Sequence, residues 1–291
     1  MKKIRTAIFP VGGLGTRFLP ATKSMPKEML PIANKPIIQY AFEEARDAGI
    51  EKFIFITGRN KNSINNHFDH AYELESKLDE NNKSSELTQV VGWMPEAGQI
   101  AFVRQQKPLG LGHAIWCARN FIANDEAFVV ILADEMMMHD DSKNKNFLKK
   151  MIEFYEQKPQ GSNVIAVGEI AIEDSKKYGI IKTVDTENIS DMIEKPDSKD
   201  APSNLAITGR YILQPQIFDY LNEFEIGSGG EIQLTDAMQK MCKEYPFFYK
   251  KIDEQRFDCG NVLGYLEANI AYGIKDKKIG DDVKKMLKKY I

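Results

Sequence analysis

Three glycines in four positions, Gly12-Gly13-Leu14-Gly15, stand close behind the first apolar run of the chain, Thr6 to Phe9, with Pro10 as the break. A β-branched and aromatic run that ends in such a turn reads as a strand entering a loop at its carboxyl end. Open α/β sheets bind ligands at that edge. Glycines there let backbone N–H groups approach a bulky anion without Cβ clashes. Thr16-Arg17 follows at once, and the stretch continues through Pro20 and Thr22 to Pro26-Lys27. Arg17 supplies a planar, permanently charged fork suited to phosphate oxygens, and Lys27 adds a second positive charge. A turn that merely joins two elements has no need of both cations. The stretch suits a polyphosphate whose charge grows as a bond breaks.

Two named glycine motifs fail here. A P-loop needs Gly, four residues, then Gly-Lys-Ser/Thr, and the chain has no such run. A Rossmann fingerprint needs a third glycine where Phe18 stands, which disfavours an NAD-dependent dehydrogenase. The whole pattern, G-G-x-G-T-R-x-x-P-x-T-x-x-x-P-K, resembles the signature of the sugar-phosphate nucleotidylyltransferases. Its extension Pro26-Lys27-Glu28-Met29-Leu30-Pro31 resembles the bacterial UTP–glucose-1-phosphate uridylyltransferases within that family.

The chain as a whole fits a metabolic protein. Its 291 residues are 43% hydrophobic with a net charge of −3, enough for a sizeable core and unlike a nucleic-acid binder. Cys117, Cys242 and Cys259 lie far apart with no CxxC pair, pointing to a reducing compartment and no zinc ribbon. The N-terminal apolar run is too short for a secretory signal, and no stretch approaches the roughly 20 apolar residues of a membrane span. A soluble cytoplasmic protein is expected.

In order, the pattern predicts a helix over Pro36–Gly49, a buried strand over Lys52–Thr57, and one helix from Asn60 to about Leu78. His67 and His70, three apart on that helix, read as packing or surface residues, since no third metal ligand is near. Asp79–Ser85 reads as a loop and Leu87–Met94 as a helix. A strand over Ile100–Arg104 enters a second glycine turn, Gln105-Gln106-Lys107-Pro108-Leu109-Gly110-Leu111-Gly112, which opens a helix to about Phe121. The amide of Gln106 can donate and accept together, matching a pyrimidine edge. Ala127–Leu132 reads as a central parallel strand ending in Asp134, a carboxylate well placed for a metal. Met136, Met137 and Met138 read as packing residues and His139 as surface. A helix over Asn146–Gln157 and a strand over Asn163–Ile170 precede shorter strands around Gly179, Met192–Pro196 and Leu205–Leu213. The glycine-rich Gly227–Gly230 leads into a helix with Glu231 in its first turn. A strand over Phe247–Ile252 precedes Asp258 and a helix to about Tyr272. A charged helix or frayed end closes the chain over Asp281–Ile291.

The resemblance extends from Ile4 to about Ile274, with its motifs in order, and implies roles residue by residue. Val11, Gly12, Gly13, Gly15 and Glu28 would line the nucleotide, and Gln106 and Gly110 would contact uracil. Asp134 and Asp258 would hold Mg2+. Tyr178-Gly179-Ile180 and Glu194-Lys195-Pro196 resemble the sugar-contacting motifs, with Gly179 and Glu194 at the sugar and Lys195 at its phosphate. Arg17, Lys27 and Lys195 would be catalytic. Two departures stand out: Ala133 and Glu135 flank Asp134 where relatives often carry Gly or Pro and a second Asp, and Val11-Gly12 replaces Ala-Ala.

The fold expected is α/β, Rossmann-like, with a mixed, mostly parallel central sheet flanked by helices and a smaller sugar-side β region. One domain is expected, with a nucleotide half over about 1–160, a sugar half over about 161–260 and C-terminal helices over about 261–291. The activity expected joins UTP and α-D-glucose 1-phosphate into UDP-glucose and pyrophosphate, in a homodimer or homotetramer with neither nucleic acid nor membrane as partner. The alternatives are a dTTP- or CTP-specific enzyme of the same kind, or a non-catalytic nucleotide-sugar sensor.

Overall fold

The computed structural model describes residues 3–140 and 144–290. Its strands are β1 (Thr6–Val11), β2 (Pro31–Ile32), β3 (Lys35–Pro36), β4 (Lys52–Thr57), β5 (Ile100–Arg104), β6 (Phe128–Ile131), β7 (Glu135–Met138), β8 (Asn163–Glu169), β9 (Gly179–Thr183), β10 (Asn188–Glu194), β11 (Leu205–Leu213), β12 (Phe247–Lys251) and β13 (Gln255–Asp258). The α-helices are α1 (Ile37–Asp47), α2 (Asn62–His67), α3 (Tyr72–Glu80), α4 (Ser84–Val91), α5 (Leu111–Trp116), α6 (Phe147–Glu156), α7 (Ile217–Leu221), α8 (Leu234–Met241), α9 (Val262–Lys275) and α10 (Gly280–Leu287). Ile291, the end of the last predicted helix, lies outside the described residues.

Among the described residues one nine-stranded sheet runs β5-β4-β1-β6-β11-β8-β12-β10-β9. β5, β4, β1 and β6 are parallel, as the apolar runs and intervening helices predict. β11 and β10 run against the rest. The expected sugar-side strands β9 and β10 form the far end of this same sheet. Alternation divides the core into two layers. Phe9 of β1 faces one side with Phe53 and Phe55 of β4, where Ile38 and Phe42 of α1 and Met151 of α6 pack. Ile8 and Ile54 face the other, against Ala114 and Ile115 of α5 and Met238 of α8. Phe9 stacks on Phe55 at 4.7 Å. Full burial of a ring of this size contributes about 1.5–3 kcal/mol.

The predicted Asn60–Leu78 helix is two helices. Ile64 and Phe68 reach the core, the chain leaves helical geometry at Ala71 (φ −99, ψ 69), and α3 buries no residue. Tyr72 and Leu74 belong to an exposed face, so the apolar spacing joined two unrelated surfaces. The predicted Asp79–Ser85 loop is mostly occupied by the end of α3 and the start of α4. His67 stacks on Trp93 and bonds Gln39, while His70 pairs with Glu75, the packing and surface roles expected of them.

Candidate active site

The site begins at the carboxyl edge of the parallel strands. Val11 pairs in register with Thr57, and Thr57 with Arg104, so the turns after β1, β4 and β5 emerge side by side. Val11 is itself fully buried at the end of β1. Gly12 and Gly58 pack backbone to backbone: a Cβ on Gly58 would stand 2.7 Å from the Gly12 carbonyl oxygen. Gly13 differs, because no protein atom lies within 4 Å of where its Cβ would sit. The packing there does not demand glycine, and the open space suits a ligand lying against the backbone. Gly15 adopts φ +66, and its carbonyl accepts from the Thr22 hydroxyl at 2.7 Å, which closes the loop.

The second glycine turn corrects one residue. Gln106 is exposed and lies in a shallow outer depression with Arg104, Lys107 and Arg119. Gln105 is the buried neighbour, with Oε1 2.7 Å from the position of a Gly12 Cβ. Successive extended residues point to opposite faces, so a shift of one residue exchanges inside for outside. Gly110 is held at φ +108 against the 231–232 segment, where a Cβ would meet the Ile232 carbonyl oxygen at 2.7 Å. Gly110→Ala should therefore lower the unfolding free energy by about 2–4 kcal/mol through backbone strain and overpacking, read by urea titration. A loss below about 1 kcal/mol would mean that the turn relaxes freely.

Glu231 is also corrected. It is extended (φ −114, ψ 155), and α8 begins three residues later. Ile232 donates to Leu109 O, and Gly112 donates to Ile232 O, each at 2.8 Å, so the segment bridges to the second glycine turn instead of opening the helix.

The two acids meet through a short ribbon. β7 pairs antiparallel with β13, placing Glu135 opposite Asp258, and Cys259 N donates to Asp134 O at 2.7 Å. A Cβ on Gly260 would lie 2.8 Å from Asp258 Oδ1 and 3.1 Å from Asp134 Oδ2, so both carboxylates border the same point. Asp258 accepts from Gly260 N at 2.9 Å and Asn261 Nδ2 at 3.0 Å, which fix its rotamer. Asp134 Oδ2 receives Lys27 Nζ at 2.5 Å, both side chains 23% exposed. Burial works against the charge on Lys27, but Asp134 and Glu28 outweigh it and raise its pKa. Burial likewise opposes ionisation of Asp134, yet Lys27 holds its pKa below the ordinary carboxylate value. The pair is charged on both sides at neutral pH.

Glu28 is paired inside the protein. It is 2% exposed and accepts from the buried Lys61 Nζ at 2.7 Å. Its carboxylate anchors the loop that carries Lys27. Glu135, whose role the sequence left open, is clamped by Arg256 at 2.5 and 2.9 Å, and Arg256 lies over the Tyr178 ring. The Cys259 thiol is pushed up to about 12, by burial first and then by Asp134 and Asp258, which makes it a poor nucleophile.

Across the cleft, Glu194 pairs with Gly179 in the β9–β10 register. Glu194 Oε2 and Thr235 Oγ1 would stand 3.2 and 3.0 Å from a Cβ on Gly179, so glycine leaves room between them. Lys195 holds a left-handed φ of +49, donates its N–H to Tyr178 O, and brings Nζ within 3.0 Å of Glu194 Oε1. Arg17, Asp134, Gly179, Glu194, Lys195 and Asp258 all line one cleft of about 830 Å3. Arg17 Nη1 reaches Gly260 O at 3.4 Å and ties the glycine loop to the Asp258 turn. Tyr211, Gln233 and Asn261 also border this cleft, and the sequence reading gave them no role. For Gln233 the available signal was the G-G-E-I-Q-L-T-D run.

The chain as a whole has parallels among known proteins. The chain is 45% identical over 97% of its length, and 96% of the relative's, to the UTP–glucose-1-phosphate uridylyltransferase of Bacillus subtilis (strain 168). Its structure resembles a UTP-bound UGPase from Acinetobacter baumannii with a TM-score of 0.89, at 36% identity and covering 98% of this chain and 99% of that one. It resembles a UDP-glucose pyrophosphorylase complexed with UDP-glucose with a TM-score of 0.82, at 41% identity and covering 94% and 100%. The model of the nucleotidyl transferase family matches residues 6–273, and the chain belongs to that family.

Proposed function

We propose that the chain transfers a uridylyl group from UTP to α-D-glucose 1-phosphate, giving UDP-glucose and pyrophosphate. The observation that carries this reading is the single cleft in which paired Asp134 and Asp258 lie between the Arg17 loop and the Glu194–Lys195 turn. A phosphate oxygen of the sugar phosphate attacks the α-phosphorus, the bond from that phosphorus to the α,β-bridging oxygen breaks, and pyrophosphate leaves with the electron pair. The attacking oxygen is already anionic at neutral pH, so no general base is needed. Catalysis is then positioning and charge stabilisation. Lys195 orients the sugar phosphate, Glu194 accepts from sugar hydroxyls, and Arg17 and Lys27 stabilise the leaving group.

The oxygen donors of Asp134 and Asp258 fit Mg2+, which takes one or two carboxylates and fills its other positions with water and phosphate oxygens. Among the described residues no cluster of three or more His, Cys, Asp or Glu side chains offers an all-protein cage. Bound there, the ion would screen repulsion between the two phosphates. Lys27 must then exchange Asp134 for phosphate as the substrates enter.

The same proposal includes a homodimer or homotetramer, supported by an exposed apolar row on α9 of Val262, Leu266, Ile270 and Ile274. A cytoplasmic setting is supported by the three free cysteines. Among the described residues no helix is long and apolar enough to cross a membrane. One sheet carries strands from both halves of the chain, which supports reading it as one catalytic domain.

Pyrophosphate release with glucose 1-phosphate and Mg2+, comparing UTP, dTTP, CTP and ATP, tests the reading. UTP is expected to be used best. A dTTP or CTP preference would keep the chemistry and overturn the nucleotide. No release from folded protein that still binds UDP-glucose would favour a sensor.

A further inference from the structure

The amide of Gln105 is locked in one orientation. Its Nε2 lies 3.1 Å from Gly110 O and 3.1 Å from His113 Nδ1. A backbone carbonyl can only accept, so the amide nitrogen must face Gly110. Its second N–H then goes to His113, whose Nδ1 accepts and whose proton sits on Nε2. Both donors are thereby used within the protein, and Oε1 is left pointing toward Gly12 of the nucleotide loop. Gln105 thus faces the loop as an acceptor only.

The His113 ring is fixed in turn. It is 9% exposed, stacks on Trp116 at 5.7 Å, and lies 6.0 Å from the Phe224 ring. Burial, and then the Arg119 charge, depress its pKa, which keeps Nδ1 available as an acceptor. Arg119 is itself held over the Trp116 ring at 3.4 Å. None of these side chains lines the cleft that holds the two acids.

We propose that His113 is a positioning residue for base selection: by accepting from the Gln105 amide, it presents Gln105 Oε1 to the N3–H of uracil. The inference rests on the uridylyl-transfer reading. N3–H is the one hydrogen-bond donor on the pairing edge of uracil, so an acceptor-only side chain at that edge has a single partner. Cytosine carries a lone pair at N3 and would meet Oε1 with repulsion. With His113 lost, the bond to Gly110 O alone holds the amide nitrogen, so Oε1 is fixed by one bond instead of two and discrimination falls.

The test compares UTP and CTP in the pyrophosphate assay for the wild type, His113→Leu and His113→Asn. The Asn side-chain oxygen can occupy the place of Nδ1 and restore an acceptor. His113→Leu is expected to lower kcat/KM for UTP about tenfold, the scale of one buried hydrogen bond, while CTP stays unchanged or improves. His113→Asn should keep most of the wild-type UTP/CTP ratio. Equal losses for both nucleotides in His113→Leu, or a ratio in His113→Asn as poor as in His113→Leu, would overturn the proposal. Should the Leu variant fail to fold, the wild type with N3-methyl-UTP tests the contact that His113 serves: turnover like that of UTP removes the N3–H contact and overturns the proposal. A wild type inert with every nucleotide refutes the transferase reading itself, a different result from an active wild type whose selectivity His113 does not influence.

Discussion

Asp258→Ala should abolish Mg2+-dependent pyrophosphate release, a loss of at least about a thousandfold in kcat, or about 4 kcal/mol of transition-state stabilisation. The reason is geometric. Asp258 Oδ1 and Asp134 Oδ2 border one point next to Gly260, and the Asp134 oxygen there is already held by Lys27. With Asp258 removed, one carboxylate must both hold the cation and balance the lysine. Asp258→Asn separates charge from shape: the amide oxygen takes the place of Oδ1 and still accepts from Gly260 N, while the NH2 group replaces Oδ2 and gives up the bond from Asn261 Nδ2. The variant should lose only about 1 kcal/mol of stability, the scale of one hydrogen bond, and share most of the activity loss. Turnover of Asp258→Asn within tenfold of wild type would take the Asp258 charge out of the reaction.

Arg210→Met should be the most damaging substitution for stability, costing about 3–5 kcal/mol in urea unfolding. Arg210 is 1% exposed and donates to Glu44 through Nε and Nη2, the shortest contact being 2.6 Å. Its Nη1 also donates to Leu132 O and Gly209 O, each at 3.0 Å. Methionine fills the volume but leaves the Glu44 carboxylate, 11% exposed, without its partner. The double variant Arg210→Met/Glu44→Leu should recover more than half of the loss, since an uncompensated buried charge is the larger part of the penalty. Leu132 lies two residues before Asp134, so the single variant should also lower turnover in the protein that remains folded. A single-variant loss below about 1 kcal/mol would show that the pair is replaceable by water.

The parallel strands were legible because a strand covered on both faces must be apolar throughout, as Phe128–Ile131 is. The glycine loop was legible because its chemistry is local: the residues that shape it and charge it lie within sixteen positions, Gly12 to Lys27. What failed was non-local. β7 is Glu135 followed by three Met residues that read only as packing, and its partner β13 lies more than 100 residues later. Glu28 could be placed beside Lys27 by sequence, but its burial against Lys61 depends on a loop after another strand. The Gln105–Gln106 choice turned on which amide faced inward where the strand runs out, and adjacent identical side chains give composition no way to decide. Glu231 missed its helix because Ile232 found partners in the 109–112 turn, more than 100 residues earlier.

The pairing of β7 with β13 has a consequence for the order in which the protein becomes active. A chain emerging from the ribosome completes its nucleotide loop, its first acid and its sugar-side turn well before Asp258 is made. Domains assemble from the N-terminus during synthesis, and a contact between distant segments must wait for the later one. Asp134 therefore stands beside Lys27 alone until β13 zips onto β7 and brings Asp258 with it. On the proposed role of Asp258, a copy that ends before β13 can hold its glycine loop and still lack the second acid that uridylyl transfer needs.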